Sequence, residues 1–149
     1  MQQLYMELPP AVAEWPRLSE GIAAFCESRR LAEPLRLDLQ LVCEEWFVNI
    51  VNHGYLEGWL DRANAAPITV ELSLEEDGEL VVRFTDAARA FNPLEHRTPD
   101  VSLPADERPI GGLGIYLIKL KMDACSYARE GGRNHFTMRV KTKGEAKGV

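Results

Sequence analysis

Glu45, Asn49 and His53 follow one another at intervals of four residues in the stretch that runs from position 41 to position 55. Side chains spaced in this way lie on one face of an α-helix. Most residues around them are apolar, and a helix this apolar is normally buried. A buried carboxylate needs a partner, a metal ion or a chemical task. In a second interpretation, Glu45 lies at a solvated edge and Asn49 satisfies a hydrogen bond in the core.

A carboxylate and an amide oxygen one helical turn apart suit magnesium-dependent chemistry on a phosphate. Glu45 and Asn49 lack the further ligands of an all-protein metal cage. Magnesium, however, often takes one protein oxygen and completes its shell with water and substrate phosphates. Asn49 would then hold magnesium, and Glu45 would orient or deprotonate an attacking hydroxyl or water.

Two further stretches contain residues suited to nucleotide binding. The glycines of Gly111–Gly114 precede a predicted helix, so backbone N–H groups there would be free to surround an anion. Glycines also end loops, and the sequence has neither the P-loop nor the Rossmann fingerprint. Asp86 ends a predicted strand, where it would either accept a hydrogen bond from an adenine amino group or simply form a turn.

The hydrophobic pattern predicts the elements that would position these residues. Periodicity of two or of 3.6 residues predicts strands at 2–8, 68–74, 80–85, 125–129 and 135–141, and helices at 16–30, 34–53 and 115–123. The proline-rich segment 86–110 is predicted to be a functional loop such as a lid, with its hinge at 91–93. Because strands and helices do not alternate, we predict an α+β two-layer sandwich. Its mixed, mostly antiparallel sheet of about five strands would carry three helices on one face.

The composition is that of an ordinary globular protein, with 149 residues and a formal net charge of −6. We expect a single domain at 1–142 and a disordered tail at 143–149. The acidic balance argues against direct binding to nucleic acid. The three cysteines form no CxxC pair, which argues against a disulfide framework or a zinc site. The sequence shows neither a signal peptide nor a membrane span, so we expect a cytoplasmic protein that does not bind a membrane.

Three segments together resemble the sequence boxes of the GHKL (Bergerat-fold) ATPases. They read EEWFVNIVNHGY, DAARAFNP and GGLGIYLIKLKMDACSYAREGGRNHFTMRV. More closely, they are similar to the bacterial anti-sigma-factor serine/threonine-protein kinases. The resemblance implies a histidine-kinase-like ATPase fold, ATP and Mg²⁺ as cofactors, and phosphorylation of an anti-anti-sigma (STAS) partner. It also implies binding of a sigma factor and a homodimer.

The resemblance assigns roles to individual residues. Glu45 matches the catalytic carboxylate, and Asn49 matches the residue that coordinates magnesium. Asp86 matches the aspartate that pairs with the adenine amino group, and Thr137 resembles a hydroxyl that supports that aspartate. The remaining nucleotide-binding positions lie in the two glycine boxes: Ala88, Phe91, Gly112, Leu113 and Gly114.

One position departs from the family pattern and leaves two functions open. The family usually has Asp-x-Gly where this sequence has Asp86-Ala87-Ala88, and alanine resists both positive φ and close backbone approach. The chain is therefore either a Mg-ATP-dependent kinase of a STAS partner or a non-catalytic ATP-binding module that sequesters a sigma factor. A free-standing sensor-kinase domain is disfavoured because the chain has no room for a phospho-acceptor helix pair.

Overall fold

The computed structural model describes residues 3–55, 66–95 and 112–142. Within these ranges the chain forms five strands and three α-helices in the predicted order. They are β1 (Gln3–Leu8), α1 (Trp15–Ser28), α2 (Glu33–Asn49), β2 (Ile68–Leu74), β3 (Glu79–Asp86), α3 (Gly112–Lys121), β4 (Ala124–Glu130) and β5 (Arg133–Lys141). The predicted tail and most of the predicted lid lie outside the described residues.

The strands form one sheet in the order β1-β2-β3-β5-β4. Every neighbouring pair is antiparallel, so the described sheet is antiparallel throughout rather than mixed. The register of β3 and β5 places Asp86 directly opposite Asn134. This pairing brings the last residue of β3 beside the start of β5.

The core lies between one face of the sheet and the helices. Leu18, Ile22 and Phe25 recur at helical spacing along α1, and all three are buried. On β2 the buried side chains alternate, because successive strand residues point to opposite faces. Buried residues of all three helices and of four strands belong to one cluster, which confirms the predicted two-layer arrangement.

Helix α2 changes geometry where the predicted catalytic stretch ends. It starts with Pro34 in its first turn, as predicted, and its α-helical part ends at Asn49. The residues that follow, Ile50–Tyr55, form a π-helix. Wider π turns are rare and occur frequently at functional sites. Asn49 therefore lies at a change in helical pitch.

The three cysteines are free. Cys26 and Cys43 are buried in the core, and Cys125 is half-buried. Within the described residues, no helix has the length and apolar character needed to cross a membrane.

Candidate functional site

The side chain of Glu45 lies against the first turn of α3. A Cβ atom built on Gly114 would be 2.7 Å from Oε2 of Glu45 and 3.6 Å from its Cδ. Farther along the two helices, Nζ of Lys121 lies 3.4 Å from Oδ1 of Asp38 and ties α3 to α2. The predicted carboxylate and the predicted glycine loop therefore meet in space, and the contact requires a residue without a side chain at position 114.

The environment of Glu45 suits a general base. Burial raises the pKa of Glu45 above its ordinary value, and the neighbouring carboxylate of Glu44 raises it further. A carboxylate with a raised pKa is a stronger base and titrates nearer to neutral pH. The start of a helix also carries partial positive charge, which favours an anion such as a phosphate close to Gly114.

Asn49 is half-buried at the end of the α-helical part of α2, one turn after Glu45. The described residues contain no cluster of three or more His, Cys, Asp and Glu side chains that could hold a metal ion. A magnesium ion that takes one amide oxygen from Asn49 and its other ligands from water and phosphates fits this donor set.

Asp86 is the centre of a second group of residues, at the far end of β3. Its side chain is 2% exposed. Oδ1 of Asp86 accepts hydrogen bonds from the backbone N–H of Ala88 at 3.0 Å and from Nδ2 of Asn134 at 2.9 Å. Nη1 of Arg129 donates to the carbonyl oxygen of Ala88 at 2.8 Å. These four residues are called the Asp86 cluster below.

The Asp86 cluster balances burial against stabilisation of the ionised carboxylate. Burial raises the pKa of Asp86, whereas the hydrogen bonds from Asn134 and Ala88 and the charges of Arg129 and His135 oppose that rise. Neither hydrogen bond uses Oδ2 of Asp86. An ionised Oδ2 is an acceptor suited to an exocyclic amino group.

Ala88, the departure from the family pattern, adopts an ordinary backbone conformation. Among the described non-glycine residues, only Arg30 has a positive φ. The methyl group of Ala88 is buried, with 2% of the residue exposed. The turn after Asp86 therefore does not use the conformational freedom that glycine would supply.

Aromatic packing connects α2 to the Asp86 cluster. The ring of Trp46, next to Glu45, stacks with Phe91 at a centroid distance of 6.0 Å and contacts Phe136 at 4.6 Å. The backbone N–H of Phe91 donates to Oδ1 of Asn134 at 3.3 Å. Phe91 thus lies between the two groups of predicted site residues, at the predicted hinge.

The structure does not bring Thr137 to Asp86. Thr137 pairs with Arg83 and Ser126, and it is three positions from Asn134, the partner of Asp86 on β5. Because strand side chains alternate between faces, Thr137 and Asn134 point to opposite faces of the sheet. The polar support that the resemblance assigned to Thr137 comes from Asn134.

Asn134 is the residue that sequence reasoning missed, because the prediction assigned it to the β4–β5 turn. A signal was present in the sequence. Asn134 is in phase with Phe136, Met138 and Val140, which all face the core. A polar residue in phase with three core residues marks a buried hydrogen-bonding position.

The other predicted residues of the second glycine box lie at the start of α3. Gly112 and Leu113 are its first two residues, and Gly111 lies outside the described residues. The structure thus places the glycine box at a helix start beside Glu45.

Comparisons with known sequences give matches over most of the chain. The family model for the histidine kinase-like ATPase domain matches residues 8–140. The chain is 30% identical over 110 residues to the serine/threonine-protein kinase BtrW of Bordetella bronchiseptica, an alignment that covers 73% of this chain and 72% of BtrW.

Two solved structures share the fold. The RsbU and RsbW domains of Rv1364c from Mycobacterium tuberculosis match with a TM-score of 0.67 and 15% identity over 100% of this chain and 35% of that chain. The SiaB-SiaC complex from Pseudomonas aeruginosa matches with a TM-score of 0.61 and 20% identity, covering 92% of this chain and 88% of the other.

Proposed function

This chain belongs to the histidine kinase-like ATPase domain family, and on that premise we propose that it transfers the γ-phosphate of Mg-ATP to a serine or threonine of a protein partner. Its relative BtrW is named a serine/threonine-protein kinase. The observation that carries the proposal is the contact between Glu45 and the first turn of α3 at Gly114. It places a carboxylate of raised pKa beside a helix start suited to phosphate.

The two groups of site residues bind different parts of ATP: the Asp86 side binds the base, and the start of α3 binds the phosphates. Asp86 accepts a hydrogen bond from the adenine amino group, and Ala88 and Phe91 border the base. The backbone of Gly112–Gly114 takes the phosphates at the start of α3. Trp46 and Phe91 connect the two groups through their stacked rings.

Glu45 acts on the attacking hydroxyl. Its carboxylate accepts the proton as the hydroxyl oxygen of the partner bonds to the γ-phosphorus, the bond from that phosphorus to the β,γ-bridging oxygen breaks, and ADP leaves. Asn49, one turn along α2, would hold magnesium through its amide oxygen. The ion would supply neutralisation of phosphate charge.

We infer that the partner is an anti-anti-sigma (STAS) protein and that the chain also binds a sigma factor. The support is the similarity of the three sequence boxes to the anti-sigma-factor kinases. A chain of the solved SiaB-SiaC complex shares the fold, and its presence in a protein complex supports a protein partner here. A homodimer is a further part of this proposal.

Transfer of radiolabelled γ-phosphate to a purified STAS-domain protein tests the proposed function. We expect wild-type protein to label the partner and Glu45→Gln to slow labelling by about 10²–10⁴-fold, because a general base is lost. Mg-ATP should still bind to this variant. Glu44→Gln is the matched control, since it removes the adjacent carboxylate from the same helix and should leave the rate at neutral pH close to that of wild type.

Asn49→Ala separates the magnesium role from that of the base. We expect it to abolish the magnesium dependence of ATP binding in calorimetric titration. Undiminished transfer in Asn49→Ala or in Glu45→Gln would overturn the proposed mechanism. Nucleotide that binds without transfer to the partner, together with a partner affinity that changes with ATP, would instead support the non-catalytic sequestering module.

A further inference from the structure

Asn134 has hydrogen-bonding partners on every side of its amide group. We propose that Asn134 is the positioning residue for base recognition: it locks the turn after β3 and fixes Asp86 as an acceptor, so that the site selects a 6-amino purine over a 6-oxo purine. This inference rests on the proposed nucleotide binding. It goes beyond that binding by assigning base selectivity to a residue to which the resemblance gave no role.

The amide orientation of Asn134 is determined by its neighbours. Nδ2 donates to Oδ1 of Asp86 at 2.9 Å and to the carbonyl oxygen of Arg89 at 2.9 Å. Oδ1 accepts from the N–H of Phe91 and from the hydroxyl of Tyr127. An exchange of the two amide atoms would set the NH₂ group against the N–H of Phe91, and the amide oxygen against Oδ1 of Asp86 and the carbonyl oxygen of Arg89. The donor that meets Asp86 is therefore fixed.

A fixed donor determines the hydrogen-bonding character of Asp86. Nδ2 of Asn134 and the N–H of Ala88 both donate to Oδ1 of Asp86. These two hydrogen bonds favour the ionised form of the Asp86 carboxylate. Arg129 and His135 are the charged or titratable groups among the described residues that act in the same direction. An ionised carboxylate accepts from the amino group of adenine and repels the O6 carbonyl of inosine or guanine.

Asn134 also stabilises the turn after β3, where this chain has Ala88 in place of the family glycine. The carbonyl groups of Ala88 and Arg89 are held by Arg129 and Asn134, respectively. The N–H of Phe91, two residues farther on, is held by Asn134 as well. The turn is thus fixed by side chains from β4 and β5, and it keeps an ordinary backbone at Ala88. A turn fixed before the ligand arrives loses less entropy when the base binds.

Asn134→Asp tests the inference with a side chain of nearly the same shape. We would titrate wild type, Asn134→Asp and Thr137→Val with Mg-ATP and Mg-ITP between about pH 5 and pH 9. Wild-type protein should prefer ATP over ITP, and its ATP affinity should fall as the pH drops through the pKa of Asp86. In Asn134→Asp at high pH, two ionised carboxylates lie side by side, so ATP binding should weaken by at least about tenfold.

The sign of the pH dependence distinguishes a positioning role from a merely structural one. When the pH falls, the two carboxyl groups of Asn134→Asp should share one proton, and the new group should again donate to Asp86. ATP affinity should therefore recover towards lower pH, opposite to wild type. Thr137→Val, on the other face of β5, should behave as wild type. Thermal unfolding at each pH reports whether each variant is folded.

Arg129→Gln is a second variant, at an exposed position. It removes the charge beside Asp86 and weakens the bond to Ala88, so we expect ATP to bind about threefold less tightly.

Wild-type affinity, selectivity and pH dependence in Asn134→Asp would overturn the inference, and so would a loss equal for ATP and ITP at every pH. If Asn134→Asp does not fold, an unchanged Arg129→Gln overturns it. Wild-type protein that binds neither nucleotide overturns the proposed function itself.

Discussion

The contact between α2 and α3 and the Asp86 cluster are built in opposite ways. At the helical contact, Glu45 reaches its position because Gly114 has no side chain. At the end of β3, Asp86 is positioned by donors that come from its own turn and from β5. The contact between α2 and α3 depends on the absence of a side chain at Gly114. The Asp86 cluster depends on hydrogen bonds in which every donor has an acceptor.

The difference determines how each region should fail. Adding atoms at Gly114 displaces the flexible end of Glu45 without breaking a hydrogen-bond network. Removing a partner in the Asp86 cluster leaves buried polar groups unpaired, which costs stability as well as binding. Steric substitutions should therefore reduce activity without reducing stability at the first region. Substitutions that remove a hydrogen-bonding partner should reduce both at the second region.

Gly114→Ala should have the largest effect. The new methyl group would lie 2.7 Å from Oε2 of Glu45, so the carboxylate must move away, and the transfer rate should fall by about a hundredfold. The helix itself should gain up to about 1 kcal/mol, because alanine favours helix more than glycine does. Rate and thermal unfolding would be measured on the same sample. A variant that transfers phosphate at the wild-type rate would refute the role of the empty space.

Asp86→Asn should act mainly on nucleotide binding. The amide can still accept from Asn134 and Ala88 through Oδ1, but its NH₂ group would then face the amino group of the base. ATP affinity should drop by about tenfold or more, while ITP should gain relative to ATP. Calorimetric titration with ATP and with ITP measures this change in relative affinity. Equal losses for the two nucleotides would mean that Asp86 does not contact the base.

The pH dependence of transfer should reveal Glu45. Because its pKa is raised by burial and by Glu44, the base form is lost as the pH falls through that raised pKa. The rate should then decline by about tenfold for each further pH unit. Glu44→Gln should move this decline to lower pH. A decline at the same pH in wild type and Glu44→Gln would contradict the electrostatic link.

Ala88→Gly should have the smallest effect. Since Ala88 has no positive φ, restoring the family glycine should change ATP affinity by less than about threefold. Loss of a buried methyl group and the added freedom of the unfolded chain should lower the free energy of unfolding by about 1 kcal/mol. Titration and denaturant unfolding would measure the two quantities. A large gain in affinity would show that the alanine methyl obstructs the base.

The fold could be predicted because its signals are local. The buried residues of α1 recur at helical spacing, and β2 alternates before a glycine turn. Gly78 has φ 87° in that turn, a conformation that favours glycine. The exact sheet order was not predicted, since the pairing of β3 with β5 joins residues far apart in sequence. The π geometry after Asn49 was likewise missed.

The site could be predicted only as far as its motifs extend. Glu45 and the glycine box were identified from short segments, and the structure brings them together. The support for Asp86 was wrongly assigned to Thr137, because a sequence does not reveal which strand residues share a face until the register is known. The effect of Ala88 on nucleotide binding depends on whether its φ is positive. The amino acid type alone does not determine that angle.

The fit between Glu45 and Gly114 also has an evolutionary consequence. A carboxylate that occupies the space of an absent side chain makes the two positions interdependent during divergence. Relatives that retain the glycine are free to keep the glutamate. Lineages in which position 114 acquires a side chain are expected to have a shorter or displaced residue at position 45. Paired loss of the two residues would therefore mark the members of the family that have abandoned catalysis while keeping the fold.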